Sequence, residues 1–235
     1  MPQSLSVVAL GDSVASGGPC LCKPFPQLYV QALSDARGVL ASVQNLGQNG
    51  EDSNGLLGEL EGSGTSQATE VKGADIVLVT IGANDFSAKH DLVTRGQCSG
   101  GLGTDCVADE VAQVRRNVAA IVATIHRLRG YRATSVLVTG YWDVFEDGAV
   151  AKSSFSGSGV AASMALTREA NGAIKAGATS AGATYVDLLA PFHGPASGGV
   201  TTALLGPDGD HPNAKGQEVI AQRLVAAGLP GLVTG

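Results

Sequence analysis

Aromatic residues make up only 4% of this 235-residue chain and charged residues only 15%. A core must therefore rest on Val, Leu, Ala and Ile, within a hydrophobic content of 44%. Positive charge is the scarcer sign: 15 Lys and Arg stand against 21 Asp and Glu, a net charge of -6. No nucleic-acid partner is expected, because no basic surface is available to neutralise phosphates. Arg127, Arg129 and Arg132 cluster where a helix pattern ends, a place that suits cations through the helix dipole. No apolar run reaches the roughly 20 residues that a membrane-spanning helix needs, and the strongest, residues 76–81, is strand-sized. No basic leader with a cleavage site opens the chain. The first strand pattern starts almost at once, as expected of a mature secreted or periplasmic protein, with the cytoplasm as the alternative. Also missing are the G-x-S-x-G nucleophile elbow, a phosphate loop and a dinucleotide fingerprint.

Four cysteines are present, Cys20, Cys22, Cys98 and Cys106, an even set that suits disulfides and an oxidising compartment. Cys98 and Cys106 bracket a Gly-rich stretch and can close a small loop. Cys20 and Cys22 are so close that a mutual bond is disfavoured, which leaves crosslinks to the other pair open. The sequence does not choose among the pairings. A zinc site is not expected, because the spacings lack the usual ligand pattern.

The length suits one domain over residues 1–235, with no composition shift to mark a second. Strand-like runs fall at residues 5–10, 39–46, 74–81, 134–140 and 183–188. Each is rich in Val or Ile, lacks polar alternation, and reads as buried on both faces. Helix patterns fall between them, at residues 26–37, 54–61, 107–129, 161–181 and 214–227. The clearest is the third, where Val107, Val111, Val114, Val118, Ile121, Val122, Ile125 and Leu128 recur at helical spacing. This alternation predicts an α/β fold with a five-stranded parallel sheet covered on both sides. Residues 86–106 read as a long pinned loop. Residues 141–159, which hold Trp142, Phe145 and a Ser-Gly run, read as a second loop. Both follow strand ends, where open α/β sheets place their sites.

Ser13 lies where the first strand hands over to a turn, in Gly11-Asp12-Ser13. A Ser hydroxyl is a poor nucleophile without an adjacent base. His211 is the best of four histidines for that base, because Asp208 and Asp210 stand beside it to orient the ring. Pro212 is expected to open the helix that follows. The anion formed when Ser attacks an ester needs hydrogen-bond donors. Gly47 and Gly50, within Asn45-Leu46-Gly47-Gln48-Asn49-Gly50, can offer backbone N–H groups, and Asn84 in Gly82-Ala83-Asn84-Asp85 can offer a side-chain amide. Taken singly, each residue reads equally well as an ordinary cap or turn; the combination points to acyl transfer.

These four blocks, in this order, resemble the GDSL or SGNH hydrolases. The resemblance implies a flavodoxin-like three-layer α/β/α fold and cofactor-free, metal-independent hydrolysis of esters. It implies Ser13 as nucleophile, His211 as base and Asp208 as the orienting carboxylate, with Asp210 left to solvent or capping. It further implies an oxyanion hole from Ser13, Gly50 and Asn84, with Gly50 preferred to Gly47 by its offset from Asn45. Val14 replaces the Leu of the family's name. Asp12 and Asp85 are expected to bond neighbouring loops. Tyr141, Trp142 and Phe145 are candidates for the substrate side, with a small packed cluster under a loop as the equal alternative.

The expected activity is a serine esterase or lipase acting on short- to medium-chain or soluble esters, working as a monomer on a small-molecule or lipid ester. The alternatives are a carbohydrate O-acetyl esterase, an acyltransferase, and a non-catalytic ligand-binding domain on the same fold.

Overall fold

The computed structural model describes residues 4–98, 100–194 and 201–230. Five parallel strands form one sheet: β1 (Ser4–Gly11), β2 (Leu40–Asn45), β3 (Ile76–Thr80), β4 (Ser135–Thr139) and β5 (Thr184–Val186), in the order β2-β1-β3-β4-β5. The chain runs outward from β1 to β2, then returns past β1 to build β3, β4 and β5. The order therefore reverses between β1 and β3, and the crevice beyond their carboxyl ends is where open α/β sheets hold their ligands.

The central strands explain the apolar runs. Every residue of β3 and β4 is buried, as are Val7, Val8, Ala9 and Leu10 of β1. Each fully buried Val, Leu or Ile contributes about 1.5–3 kcal/mol against exposure. Thr80 and Thr139 are buried polar residues at the ends of β3 and β4, and their hydroxyls bond each other at 2.9 Å. The expectation of two buried faces fails for β2, whose residues alternate between exposed and half-buried. It is an edge strand: Ala41 and Val43 are half-buried, while Leu40, Ser42 and Gln44 are exposed.

Helices α1 (Ser13–Ser16) and α2 (Phe25–Arg37) follow β1, and α3 (Ser53–Glu61) and α4 (Ser66–Val71) lead from β2 to β3. Residues 86–106, expected as a loop, contain a 3-10 turn (Asn84–Lys89) and α5 (His90–Thr94), and Cys98–Cys106 closes the remainder. Helix α6 (Ala108–Leu128) buries the predicted stripe of Val114, Val118, Ile121, Val122 and Ile125. The second expected loop holds α7 (Gly148–Ser154) and the start of α8 (Gly157–Ser180). Its Ser-Gly run is a helix cap: the Ser156 hydroxyl accepts from the Gly159 N–H at 2.9 Å. After β5 come α9 (Leu189–His193) and α10 (Ala214–Ala226). Asn213, not Pro212, caps α10, accepting from the Lys215 and Gly216 N–H groups, while Pro212 bridges back to Leu205.

Helix α10 packs on α2, and α6 packs on α3 and α8, so the sheet is covered on both sides. Cys20 bonds Cys22 and Cys98 bonds Cys106; the local pairing disfavoured by spacing is the one formed. Arg129 is more than a dipole partner. It is 4% exposed and donates to the Thr134 hydroxyl at 2.8 Å and the Lys72 carbonyl at 2.7 Å, stapling the end of α6 to two loops. Among the described residues, no helix is long and apolar enough to cross a membrane.

Candidate active site

The carboxyl end of β1 delivers Ser13 to the crevice. Gly11 has φ +126°, and a Cβ there would stand 1.9 Å from the Thr80 carbonyl oxygen, so only glycine lets β1 end this close to β3. The Asp12 N–H then donates to that same oxygen at 3.0 Å. Asp12 caps α1, its Oδ1 accepting from the Val14 N–H at 2.9 Å. Ser13 opens α1, so its own N–H has no helical carbonyl to bond.

The other half of the site comes from 198 residues away, in the turn before α10. His211 Nε2 lies 2.8 Å from Ser13 Oγ, and Nδ1 lies 2.9 Å from Asp208 Oδ2. The second oxygen of Asp208 accepts the backbone N–H groups of Asp210 and His211, each at 3.1 Å. Partial burial works to raise the Asp208 pKa, but the His211 ring and these two N–H bonds outweigh it and hold the carboxyl below its ordinary value. Asp210 Oδ2 is farther from Nδ1, at 3.6 Å, and its side chain is 45% exposed. Partial burial, with Asp208, Glu146 and Asp143 nearby, pushes Asp210 up to about 6 against the pull of His211. Of the two carboxylates, Asp208 stands nearer to Nδ1 and carries the lowered pKa.

The middle blocks frame the opposite side. Asn45 donates to the Ala15 carbonyl at 2.8 Å and accepts from the Gly47 N–H at 3.2 Å, which occupies Gly47. Gly50 is exposed with φ +78°, and its N–H donates to no group among the described residues. Asn84, at the end of β3, donates one amide hydrogen to the Glu51 carbonyl at 2.8 Å, which pins the turn that carries Gly50. Asp85 accepts from the Ser53 N–H at 3.0 Å and from the Ser53 hydroxyl, tying this loop to α3.

Tyr141, Trp142 and Phe145 do not form a substrate wall: they are 2%, 1% and 7% exposed. Trp142 stacks on Phe192 with centroids 4.3 Å apart, and its indole N–H donates to the Asp210 carbonyl at 3.1 Å. The Asp147 N–H donates to the Gly209 carbonyl at 2.7 Å. Residues 141–147 therefore brace the turn that carries Asp208 and His211, a role with no motif to announce it. Their aromatic content was the only signal available, and it suited a packed cluster as well as a substrate wall.

The remaining histidines stand elsewhere. His90 Nε2 lies 2.9 Å from Glu146; burial opposes protonation there, yet Glu146 and Asp91 raise its pKa. His193 lies 3.0 Å from Asp147, whose bond raises its pKa against burial. His126 lies within α6. A groove of 940 Å³ between α8, β5 and α10, where Lys175, Tyr185 and Arg223 lie, does not reach Ser13 or His211.

A model of the GDSL-like Lipase/Acylhydrolase family matches residues 9–219. No curated protein matches the chain. A lipase from a goat rumen metagenome is 19% identical over 96% of this chain and 98% of its own, with a TM-score of 0.74. An extracellular lipase from Streptomyces rimosus is 24% identical over 95% and 99%, with a TM-score of 0.63. An acetyl xylan esterase from Geobacillus stearothermophilus is 16% identical over 100% and 99%, with a TM-score of 0.64. At such identities the three structures are alike in fold.

Proposed function

This chain belongs to the GDSL-like Lipase/Acylhydrolase family, a family of ester hydrolases, and we propose that it performs that hydrolysis through Ser13, His211 and Asp208. The observation that carries the reading is the unbroken line from Ser13 Oγ through the His211 ring to Asp208, with contacts of 2.8 and 2.9 Å. A binding module on the same fold has no use for such a relay.

Asp208 accepts Nδ1–H and so keeps Nε2 free to take a proton. As Ser13 Oγ attacks the ester carbonyl carbon, its proton passes to Nε2 and the carbonyl oxygen becomes anionic. The backbone N–H groups of Ser13 and Gly50 and the second amide hydrogen of Asn84 stabilise that charge. Collapse breaks the bond to the alcohol oxygen, which leaves with the proton from Nε2. Water then attacks the acyl-Ser13 carbonyl, giving its proton to His211, and the second collapse returns that proton to Ser13 and frees the acid.

The rim formed by the turn that carries Gly50 is polar and open, with Gln48, Asn49 and Gly50 exposed, and Ser87 near Asn84 is exposed as well. This supports short- to medium-chain or soluble esters as substrates. The same polar rim suits an acetylated sugar, the second reading. The two disulfides support a secreted or periplasmic protein.

The test compares wild type with Ser13→Ala on p-nitrophenyl esters from acetate to palmitate and on acetylated xylan. Loss of turnover in the variant is expected, with the best rates on short aryl esters. Preference for xylan selects the second reading. An active Ser13→Ala, or wild type inert on every ester, refutes the assignment.

A further inference from the structure

A buried carboxylate has two oxygens to satisfy, and Asp12 is 1% exposed. Capping α1 uses one of them. The other accepts the hydroxyl of Tyr141, which comes from the end of β4, 129 residues away. The backbone N–H of Ala83 faces the same phenol oxygen without a hydrogen bond of normal geometry. One hydroxyl thus lies between the neighbour of Ser13, which it bonds, and the neighbour of Asn84, which it faces.

Tyr141 is well anchored for this. Its N–H donates to Asn171 Oδ1 and its carbonyl accepts from Asn171 Nδ2, both at 2.8 Å. The ring is 2% exposed and meets Trp142 edge to face at 6.3 Å. The hydroxyl therefore has a fixed position, set by α8 and the sheet rather than by the two loops it touches.

We infer that Tyr141 is a positioning residue for the oxyanion hole: its hydroxyl holds the Ser13 N–H and the Asn84 amide at the separation that a single oxyanion requires. The inference rests on the assignment of Ser13 and Asn84 made above. The two donors leave different strands, β1 and β3. Behind them the strands are joined at the Asp12 N–H to Thr80 carbonyl bond. The Tyr141 hydroxyl adds a second tie on the site side, where a small shift matters most. A displacement of about 1 Å at a reacting centre can cost on the order of a hundredfold in rate.

The test uses Tyr141→Phe, which deletes one oxygen and keeps the ring. On p-nitrophenyl acetate, with enzyme counted by fluorophosphonate titration, kcat should fall roughly tenfold to a hundredfold with KM little changed. Asn84→Ala alone should cost roughly 10²–10³ in kcat. In that background Tyr141→Phe should cost far less than it does alone, because the donor it positions is gone. A merely structural role predicts the same fold-loss in both backgrounds, and that result overturns the inference. If Tyr141→Phe folds poorly, Asn171→Ala, which frees the Tyr141 backbone, is held to the same non-additivity. Wild-type kcat in Tyr141→Phe beside an inactive Ser13→Ala overturns this inference alone. Inert wild type overturns it together with the assignment of Ser13.

Discussion

Replacing Asp208 by Asn keeps the size of the side chain and reverses what it offers to His211. One oxygen of Asp208 receives two backbone N–H groups at 3.1 Å, and the other faces Nδ1 at 2.9 Å. An amide has one acceptor, and the two N–H groups claim it. The NH₂ group then meets Nδ1, which must become an acceptor, so the ring proton moves to Nε2. That nitrogen, 2.8 Å from Ser13 Oγ, can no longer take the nucleophile's proton. The expected loss in kcat is on the order of 10⁴, equivalent to about 5 kcal/mol of barrier, with KM nearly unchanged. Asp210→Asn should cost no more than about tenfold, since water screens an exposed group and Asp210 stands 3.6 Å from the ring with a side chain 45% exposed. Steady-state kinetics on p-nitrophenyl acetate, with far-UV circular dichroism to confirm folding, separates the two. An Asp210→Asn loss equal to or larger than that of Asp208→Asn would refute the assignment.

Gly18→Ala should impair turnover although it lies outside every motif. A Cβ there would stand 2.7 Å from His211 Cδ2 at φ +48°, so the ring must shift; a kcat loss of roughly tenfold or more is expected, and unchanged kcat would count against the packing. Stability should be higher near pH 5.5 than near pH 8. Burial pushes Asp12 up to about 7 and Asp143 up to about 6, so each keeps its proton in the folded chain where the unfolded chain, at 3.8, has lost it. The stability they contribute is full below the unfolded value and falls as pH rises through the folded ones, by at most about 1.4 kcal/mol per pH unit and group. His90 and His193, both raised, add to the same slope, and His126, lowered by burial, opposes it. A thermal midpoint that climbs from pH 5.5 to 8 would contradict this, and Asp12→Asn should flatten the dependence. Replacing Cys98 and Cys106 together by Ser should cost about 2–3 kcal/mol for a loop of this length, read by urea unfolding; no change in midpoint would show that the bridge constrains nothing.

What could be read from the sequence follows from where each signal is stored. Strands β1, β3 and β4 are legible because burial on both faces leaves an unbroken apolar run. Edge strand β2 carries Ser42, Gln44 and Asn45 among its six residues and is buried on neither face completely. The blocks around Ser13, Gly50, Asn84 and His211 are legible because each is a local turn with a local signature. Helix α7 and the cap of α8 were hidden, since Ser and Gly serve helix termini as readily as loops.

The contacts that brace the site were hidden for another reason. Trp142 meets the Asp210 carbonyl 68 residues away, and Tyr141 meets Asp12 across 129 residues. A long-range partner leaves no periodicity and no spacing to detect. Yet Asp12 did carry half of the information. An acidic cap at the end of a buried strand needs one oxygen for the cap, and burial demands a donor for the other. The sequence therefore implies that some hydroxyl or amide reaches Asp12, and the fold selects which. Of the groups at the carboxyl ends of β3 and β4, the strand neighbouring β1 and the next one out, the Tyr141 hydroxyl has both the length and the fixed backbone to do so. Tyr141 looked like a substrate-facing aromatic because its polar end could not be assigned without the sheet order. Once β3 is known to separate β1 from β4, a side chain that spans both gaps becomes the natural tie beneath the donors proposed for the oxyanion hole.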